Sequence, residues 1–275
     1  MSMYYEESGN KNASTIVFIH GGGISGWMWK MQVAAFQDYH CIVPDLPEHG
    51  KSIDEKPLTI SDSADRIAEL IKLHASNQKA HVVGHSIGAK IIVELLSRHP
   101  DVIDHAVIVS ALFRPIPLLN LTCNRFSYNL CVKMMKNEGL LNYQVKQFGF
   151  PDEYDRDNLK EDFKLLTTDS LDSIYGELFT HLKLPEHLSK ASAATLVMAG
   201  SKEPKAMRES VNDIAKALTN AKAVLFNDCR HDIPWKASDE FNQTVREWVN
   251  DEKLTSQKIH LLFPSQNNRM RESRL

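Results

Sequence analysis

The chain has no apolar run near the roughly 20 residues needed to cross a bilayer, which excludes a membrane-spanning helix. It has no concentrated basic face: 32 Lys and Arg stand against 35 Asp and Glu, a net charge of −3. Neither nucleic acid nor an anionic membrane is an expected partner. Cysteine is scarce, with only Cys41, Cys123, Cys131 and Cys229, and none forms a C-x-x-C pair. These read as reduced thiols. The amino terminus has no basic stretch leading into an apolar one, so the expected location is cytoplasmic. Internal repeats are missing as well. What remains is an ordinary globular composition, 43% hydrophobic and 24% charged, over 275 residues. That length suits one large domain, or one domain carrying an insertion.

Apolar β-branched runs alternate with helical periodicity. Strands are expected at residues 3–7, 15–19, 41–46, 80–83, 104–111, 194–199 and 223–226, the last of these being the final strand. Pro44 marks the end of its strand. Helices are expected at 27–39, behind a Thr59-x-x-Asp62 capping signal, and after residue 86, where Pro100 stops the helix. Two more follow residue 200, one through Leu218 and one capped by Ser238. Between Pro115/Pro117 and Pro185 no strand signal occurs. Residues 118–137, 138–148, 153–168 and 171–182 read as helices rich in Leu, Phe and Tyr.

This order predicts an α/β protein with a doubly wound, mostly parallel sheet. The core comprises residues 1–112 and 188–252, a helical cap is inserted at 113–187, and a tail of 253–275 lacks periodicity. In such sheets ligands sit at the carboxyl ends of the strands. That edge collects His20–Gly23, Asp45–Gly50, Ser86, Ser110–Ala111, Gly200–Glu203 and Asp228–His231.

The stretch that organises the chain is Gly84-His85-Ser86-Ile87-Gly88, with a strand before it and a helix after it. A Ser on so sharp a corner is held exposed, in strained backbone geometry. Glycine suits positions 84 and 88, where strand and helix must pass closely. The helix amino terminus directs partial positive charge toward oxygen near Ser86. A Ser hydroxyl is a weak nucleophile that needs a base, and the base needs a carboxylate to hold it. His231, just past the last strand, is the candidate base. Glu203, in Gly200-Ser-Lys-Glu-Pro204, is the candidate acid; Asp228 is its rival and Asp232 a weaker one. The backbone N–H groups of Ile87 and Gly22 are the candidate oxyanion hole, Gly22 being preferred to Gly23. His20 and His85 read as packing or loop-shaping residues. No Gly-Lys-Ser/Thr follows the triple glycine, so it is not a phosphate loop.

Together these motifs resemble the α/β-hydrolase superfamily: His20-Gly21-Gly22-Gly23 with Ser25-Gly26-Trp27-x-Trp29, Asp45-Leu-Pro-Glu-His-Gly-Lys-Ser52, the Ser86 pentapeptide, Glu203 and His231, in the order Ser, acid, His. The resemblance covers about residues 14–112 and 190–250. Three features depart from the family pattern. Glu48 stands at a usual Gly, Glu203 stands where Asp is commoner, and the amino terminus is short, implying seven strands or fewer.

The resemblance implies a serine hydrolase that cleaves a carboxylic ester, or a related acyl compound, through an acyl-enzyme on Ser86. The alternatives are a thioesterase, a carbon–carbon bond hydrolase or lyase on the same residues, or a signalling or binding protein on this fold. No metal or organic cofactor is called for. The expected partner is a small acyl substrate, with Trp27, Phe113, Phe126 and Met134 as candidate pocket residues. The elbow carries no Asp nucleophile, which dehalogenase or epoxide hydrolase chemistry would require.

Overall fold

The β-branched runs assemble into one sheet of eight strands: β1 (Tyr5–Gly9), β2 (Thr15–Ile19), β3 (His40–Pro44), β4 (Ala80–His85), β5 (Ile103–Val109), β6 (Ala194–Gly200), β7 (Ala221–Phe226) and β8 (Ile259–Leu261), in the spatial order β1-β3-β2-β4-β5-β6-β7-β8. The structure is a computed structural model and describes residues 3–116 and 122–262. The six inner strands run parallel, while β1 and β8 lie antiparallel at the two edges. Every residue of β2 is buried, which requires cover on both faces.

Helices α1 (Lys30–Ala35), α2 (Ile60–His74) and α3 (Ile87–Arg98) follow β2, β3 and β4. Between β5 and β6 the described residues include four helices with stated bounds: α4 (Arg125–Met135), α5 (Glu138–Gln147), α6 (Glu153–Leu165) and α7 (Thr168–Thr180). Helices α8 (Lys205–Ala217), α9 (Ile233–Lys236) and α10 (Ser238–Val249) complete the set. Among them α2 packs on α3 and α1 on α10. Local chemistry sets several boundaries. Thr59 caps α2 by accepting from Asp62 N at 3.2 Å, satisfying one of the orphan donors at a helix start. Asn124 accepts from the N–H of both Phe126 and Ser127, so α4 begins at Arg125.

Several expectations need correction. The 223–226 run is not the last strand, because β8 pairs with β7 through Val224–Leu261, Leu225–His260 and Phe226–Ile259. With β1 and β8 both present, the sheet has eight strands rather than seven or fewer. Three residues without alternation were too short a signal to read as a strand. The segment 27–39 is a 3-10 turn, Gly26–Trp29, followed by the short α1. Ser238 is the first residue of α10 rather than its cap, Ala237 taking that place. Residues 118–121, expected to begin a helix, lie outside the described residues, as do Pro117 and the tail from residue 263.

Candidate active site

Ser86 sits between β4 and α3 with φ 56° and ψ −112°. A non-glycine residue there stores of order 1–3 kcal/mol of strain. The corner is pinned by Ser86 N donating to Val109 O at 2.9 Å. Gly88 explains how the corner fits: a Cβ there would lie 2.4 Å from Ile19 O and 2.6 Å from His20 O. The start of α3 therefore packs directly on the backbone at the end of β2. A Cβ on Gly84 would meet Gly88 O at 2.6 Å, as expected for strand and helix in close passage.

The loop after β7 brings His231 to Glu203. The imidazole Nδ1 and the carboxylate Oε1 are 2.7 Å apart. Glu203 is buried, and its Oε2 accepts from Gly200 N at 3.2 Å. Gly200 permits the approach, because a Cβ there would lie 2.3 Å from Cys229 O and 2.4 Å from Arg230 O. The rival carboxylates are engaged elsewhere. Asp228 is exposed and pairs with Lys202 at 2.9 Å, an interaction that holds its carboxyl below the usual range. Asp232 accepts from Arg230 N at 2.9 Å.

His85 does more than pack. Its Nε2 lies 2.9 Å from His231 O. A carbonyl can only accept, so this ring nitrogen carries the proton. The two imidazole centroids are 4.4 Å apart. The neighbour of Ser86 thus holds the loop that carries His231 beside the corner. Ser86 Oγ makes no hydrogen bond with His231 among the described residues; such contacts commonly tighten only around substrate.

The triple-glycine loop is braced by two buried histidines. His20 donates from Nδ1 to Gly21 O at 2.8 Å and accepts from Leu46 N at 2.9 Å. His49 donates to Pro47 O at 2.8 Å and accepts from Gly23 N at 2.9 Å. Each ring accepts at one nitrogen and so is neutral. Burial pulls His20 down to about 4 and His49 to about 3. The Gly23 N–H is consumed in this way. The N–H groups of Gly22 and Ile87 have no acceptor among the described residues. Glu48, at the unusual position in this turn, adopts φ 62° and accepts from Leu58 N at 3.0 Å.

The four-helix insertion closes over this loop. Ile174 Cγ2 of α7 lies 2.7 Å from where a Cβ on Gly22 would stand, and Leu166 Cδ1 lies 3.7 Å from the equivalent point on Gly23. Two polar residues that the sequence reading missed tie the insertion down. Lys90 of α3 is 1% exposed and donates to Glu177 O, Leu178 O and His181 O at 2.7–3.2 Å. These are unpaired carbonyls at the end of α7. Burial lowers the Lys90 ammonium to about 8. Asp162 of α6 accepts from Ser25 N at 2.8 Å, Ser25 Oγ at 2.9 Å and Trp27 Nε1 at 2.6 Å. Burial raises its carboxyl to about 6. A lysine on the apolar stripe of α3 was the available signal for the first; nothing in the polar run around Asp162 marked the second.

The suggested pocket residues fare unevenly. Trp27 is committed to Asp162, and Phe113 is buried beneath Lys90 Nζ, 5.1 Å from its ring centroid. Phe126 is 83% exposed, so it lines no pocket. Its apolar character alone had suggested otherwise. Met134 is only partly buried.

A strained Ser corner, a carboxylate-bound imidazole and a glycine loop whose Gly22 N–H has no acceptor among the described residues share one sheet edge. The alpha/beta hydrolase family profile matches residues 16–244, and the chain belongs to this family. It is similar to an AB hydrolase superfamily protein of Gibberella zeae, 41% identical over 99 residues, covering 35% of each chain. It is also similar to the carboxylesterase YbfK of Bacillus subtilis, 32% identical over 108 residues, or 38% of this chain and 36% of that one. The matched segments thus span little more than a third of these relatives. Among solved structures, the enol-lactonase from Burkholderia xenovorans LB400 superposes with a TM-score of 0.70 at 20% identity, covering 90% of this chain and 96% of that one. That likeness is one of fold. No helix among the described residues is long and apolar enough to cross a membrane.

Proposed function

We propose that the protein is a serine hydrolase acting on carboxylic esters or closely related acyl compounds. The observation that carries this reading is the 2.7 Å contact between His231 Nδ1 and buried Glu203 Oε1, on the edge that also holds Ser86. The contact fixes the imidazole tautomer, leaving Nε2 free to take a proton. In the proposed reaction Ser86 Oγ attacks the acyl carbon as His231 takes the hydroxyl proton, and Glu203 stabilises the imidazolium. The oxyanion lies against Gly22 N–H and Ile87 N–H, each donor contributing about 3 kcal/mol to the transition state. His231 then protonates the leaving oxygen. Water, activated by the same base, releases the acid from the acyl-enzyme. The names of the carboxylesterase and lactonase relatives are in keeping with this chemistry.

Residues 113–187 serve as a cap over the acyl site, with Leu166 and Ile174 as its nearest apolar side chains. The test is turnover of short p-nitrophenyl esters together with labelling by a fluorophosphonate probe. Both should occur in the wild type, and Ser86→Ala should lose labelling and about 10⁴-fold or more of kcat. A folded wild type that neither labels nor turns over any ester would refute the enzymatic reading in favour of a binding protein.

A further inference from the structure

The amino ends of β4 and β5, opposite the Ser86 edge, carry a second cluster of chemically capable groups. His81 is the second residue of β4, and Asp104 and His105 lie near the start of β5. His81 is 5% and His105 7% exposed, yet the Nδ1 atom of each is buried without any hydrogen-bond partner. Leaving such nitrogens unpaired is unfavourable and calls for an explanation. Both face the Asp104 carboxylate, His81 Nδ1 at 3.6 Å from Oδ2 and His105 Nδ1 at 3.5 Å from Oδ1. These distances are too long for hydrogen bonds. They are close to the donor–donor edge of a tetrahedral metal site, about 3.3–3.6 Å for bonds of about 2.0–2.2 Å. One donor atom from each of the three residues lies within 4.8 Å of the others.

A further contact prepares His105. Its Nε2 lies 3.1 Å from Asp251 Oδ1, at the end of α10. A carboxylate accepts, so Nε2 carries a proton, and the neutral form of the ring then turns its Nδ1 lone pair toward Asp104. This carboxylate–histidine arrangement is the one that orients metal-bound imidazoles. Asp104 is half exposed, and the surface clefts on its two sides both reach it and His81. An ion therefore has a route in.

We infer that His81, Asp104 and His105 form a binding site for a divalent transition-metal ion of the zinc type, with Asp251 as the positioning residue for His105. Two imidazoles and one carboxylate favour zinc-like ions over magnesium or calcium, which prefer all-oxygen shells. The ion would bridge the beginnings of the two central strands. Ser86 stands five residues on from His81, about 17 Å at strand rise, so the ion would take no part in chemistry at Ser86.

The experiment uses the full, tag-free chain stripped with chelator and titrated with Zn²⁺ by calorimetry, and with Co²⁺ by visible spectroscopy. The expected result is one ion per chain, a raised unfolding temperature with Zn²⁺, and Co²⁺ bands without thiolate charge transfer. Asp104→Asn and Asp251→Asn alter exposed side chains and should fold normally. Each should weaken Zn²⁺ binding by about tenfold or more, while His105→Ala should abolish it. Ser86→Ala should bind Zn²⁺ as the wild type does, which separates this site from the hydrolase reading. Absence of stoichiometric binding, unchanged affinity in Asp104→Asn, or thiolate bands assigning the ion to cysteine would overturn the inference.

Discussion

Strands β4 and β5 each carry a histidine near the start, His81 and His105, and five residues on from each, just past the strand, stands a serine with positive φ: Ser86 (φ 56°) and Ser110 (φ 59°). Both ends hold buried polar atoms without a hydrogen-bond partner, His85 Nδ1 and Ser110 Oγ at the carboxyl end and His81 Nδ1 and His105 Nδ1 at the amino end, but the histidines around the two ends of the sheet differ in what they face. At the carboxyl end, the loop histidines His20 and His49 have a partner at every ring nitrogen and serve as neutral braces. At the amino end, two buried Nδ1 atoms face a carboxylate at distances no hydrogen bond fills. A strand direction carries its own chemical asymmetry. The carboxyl end meets helix amino termini and backbone donors suited to developing negative charge. The amino end of these strands instead presents lone pairs suited to a cation.

The largest expected break between the two ends is catalytic. Glu203→Gln should lower kcat by about 10⁴-fold, the scale expected when an imidazole loses the carboxylate that fixes its tautomer. Asp228→Asn and Asp104→Asn, one at each end, should leave kcat within about twofold, since surface changes away from a network do little. Steady-state kinetics on a p-nitrophenyl ester measure all three. A dominant loss in Asp228→Asn would move the acid to that residue.

A smaller contrast lies in packing. Gly88→Ala presses a methyl into the carbonyls of Ile19 and His20 and should destabilise by about 1–3 kcal/mol. Asp104→Asn in metal-free protein should stay within about 0.5 kcal/mol of wild type. Urea unfolding monitored by circular dichroism compares the two, and equal midpoints would show that the corner is looser than its geometry implies.

The smallest effect concerns the tether that Asp162 of α6 makes to Ser25 and Trp27. Asp162 has a folded pKa of about 6, raised from 3.8 by burial. The folded state therefore binds more protons than the unfolded one between those values. Its contribution to stability is full below the unfolded pKa and is lost as pH rises through about 6. The change from this group should amount to roughly 1–3 kcal/mol. The difference in unfolding free energy between wild type and Asp162→Asn, measured from pH 4 to 7, should carry that slope. A flat difference would remove Asp162 as a titrating tether.

Much of the carboxyl end was legible in sequence because its constraints are local. Gly84, Ser86 and Gly88 stand at fixed spacing around one turn, and strand and helix periodicity frame them. Glu203 could be named but not separated from Asp228. Which carboxylate meets His231 depends on two loops crossing at Gly200, a contact between distant segments. Lys90, His49 and Asp162 escaped for the same reason: their partners lie 26 to 137 positions away. The edge strand β8 was hidden by its brevity. His81 and His105 looked like parts of buried strands, and only their register against each other brings both beside Asp104.

Gly88 seats the nucleophile corner on the same backbone that leads into the glycine loop, and Lys90, half a turn later on α3, grips the last carbonyls of α7. In the proposed reaction, attacking oxygen, anion cradle and ceiling are thereby indexed to a single short helix, which would leave the cradle little room to adapt to a new substrate. Shape selection falls to the side chains hanging from that ceiling, with Ile174 and Leu166 foremost, so descendants of this sequence could change diet by trading methyl groups there while the machinery beneath stays still.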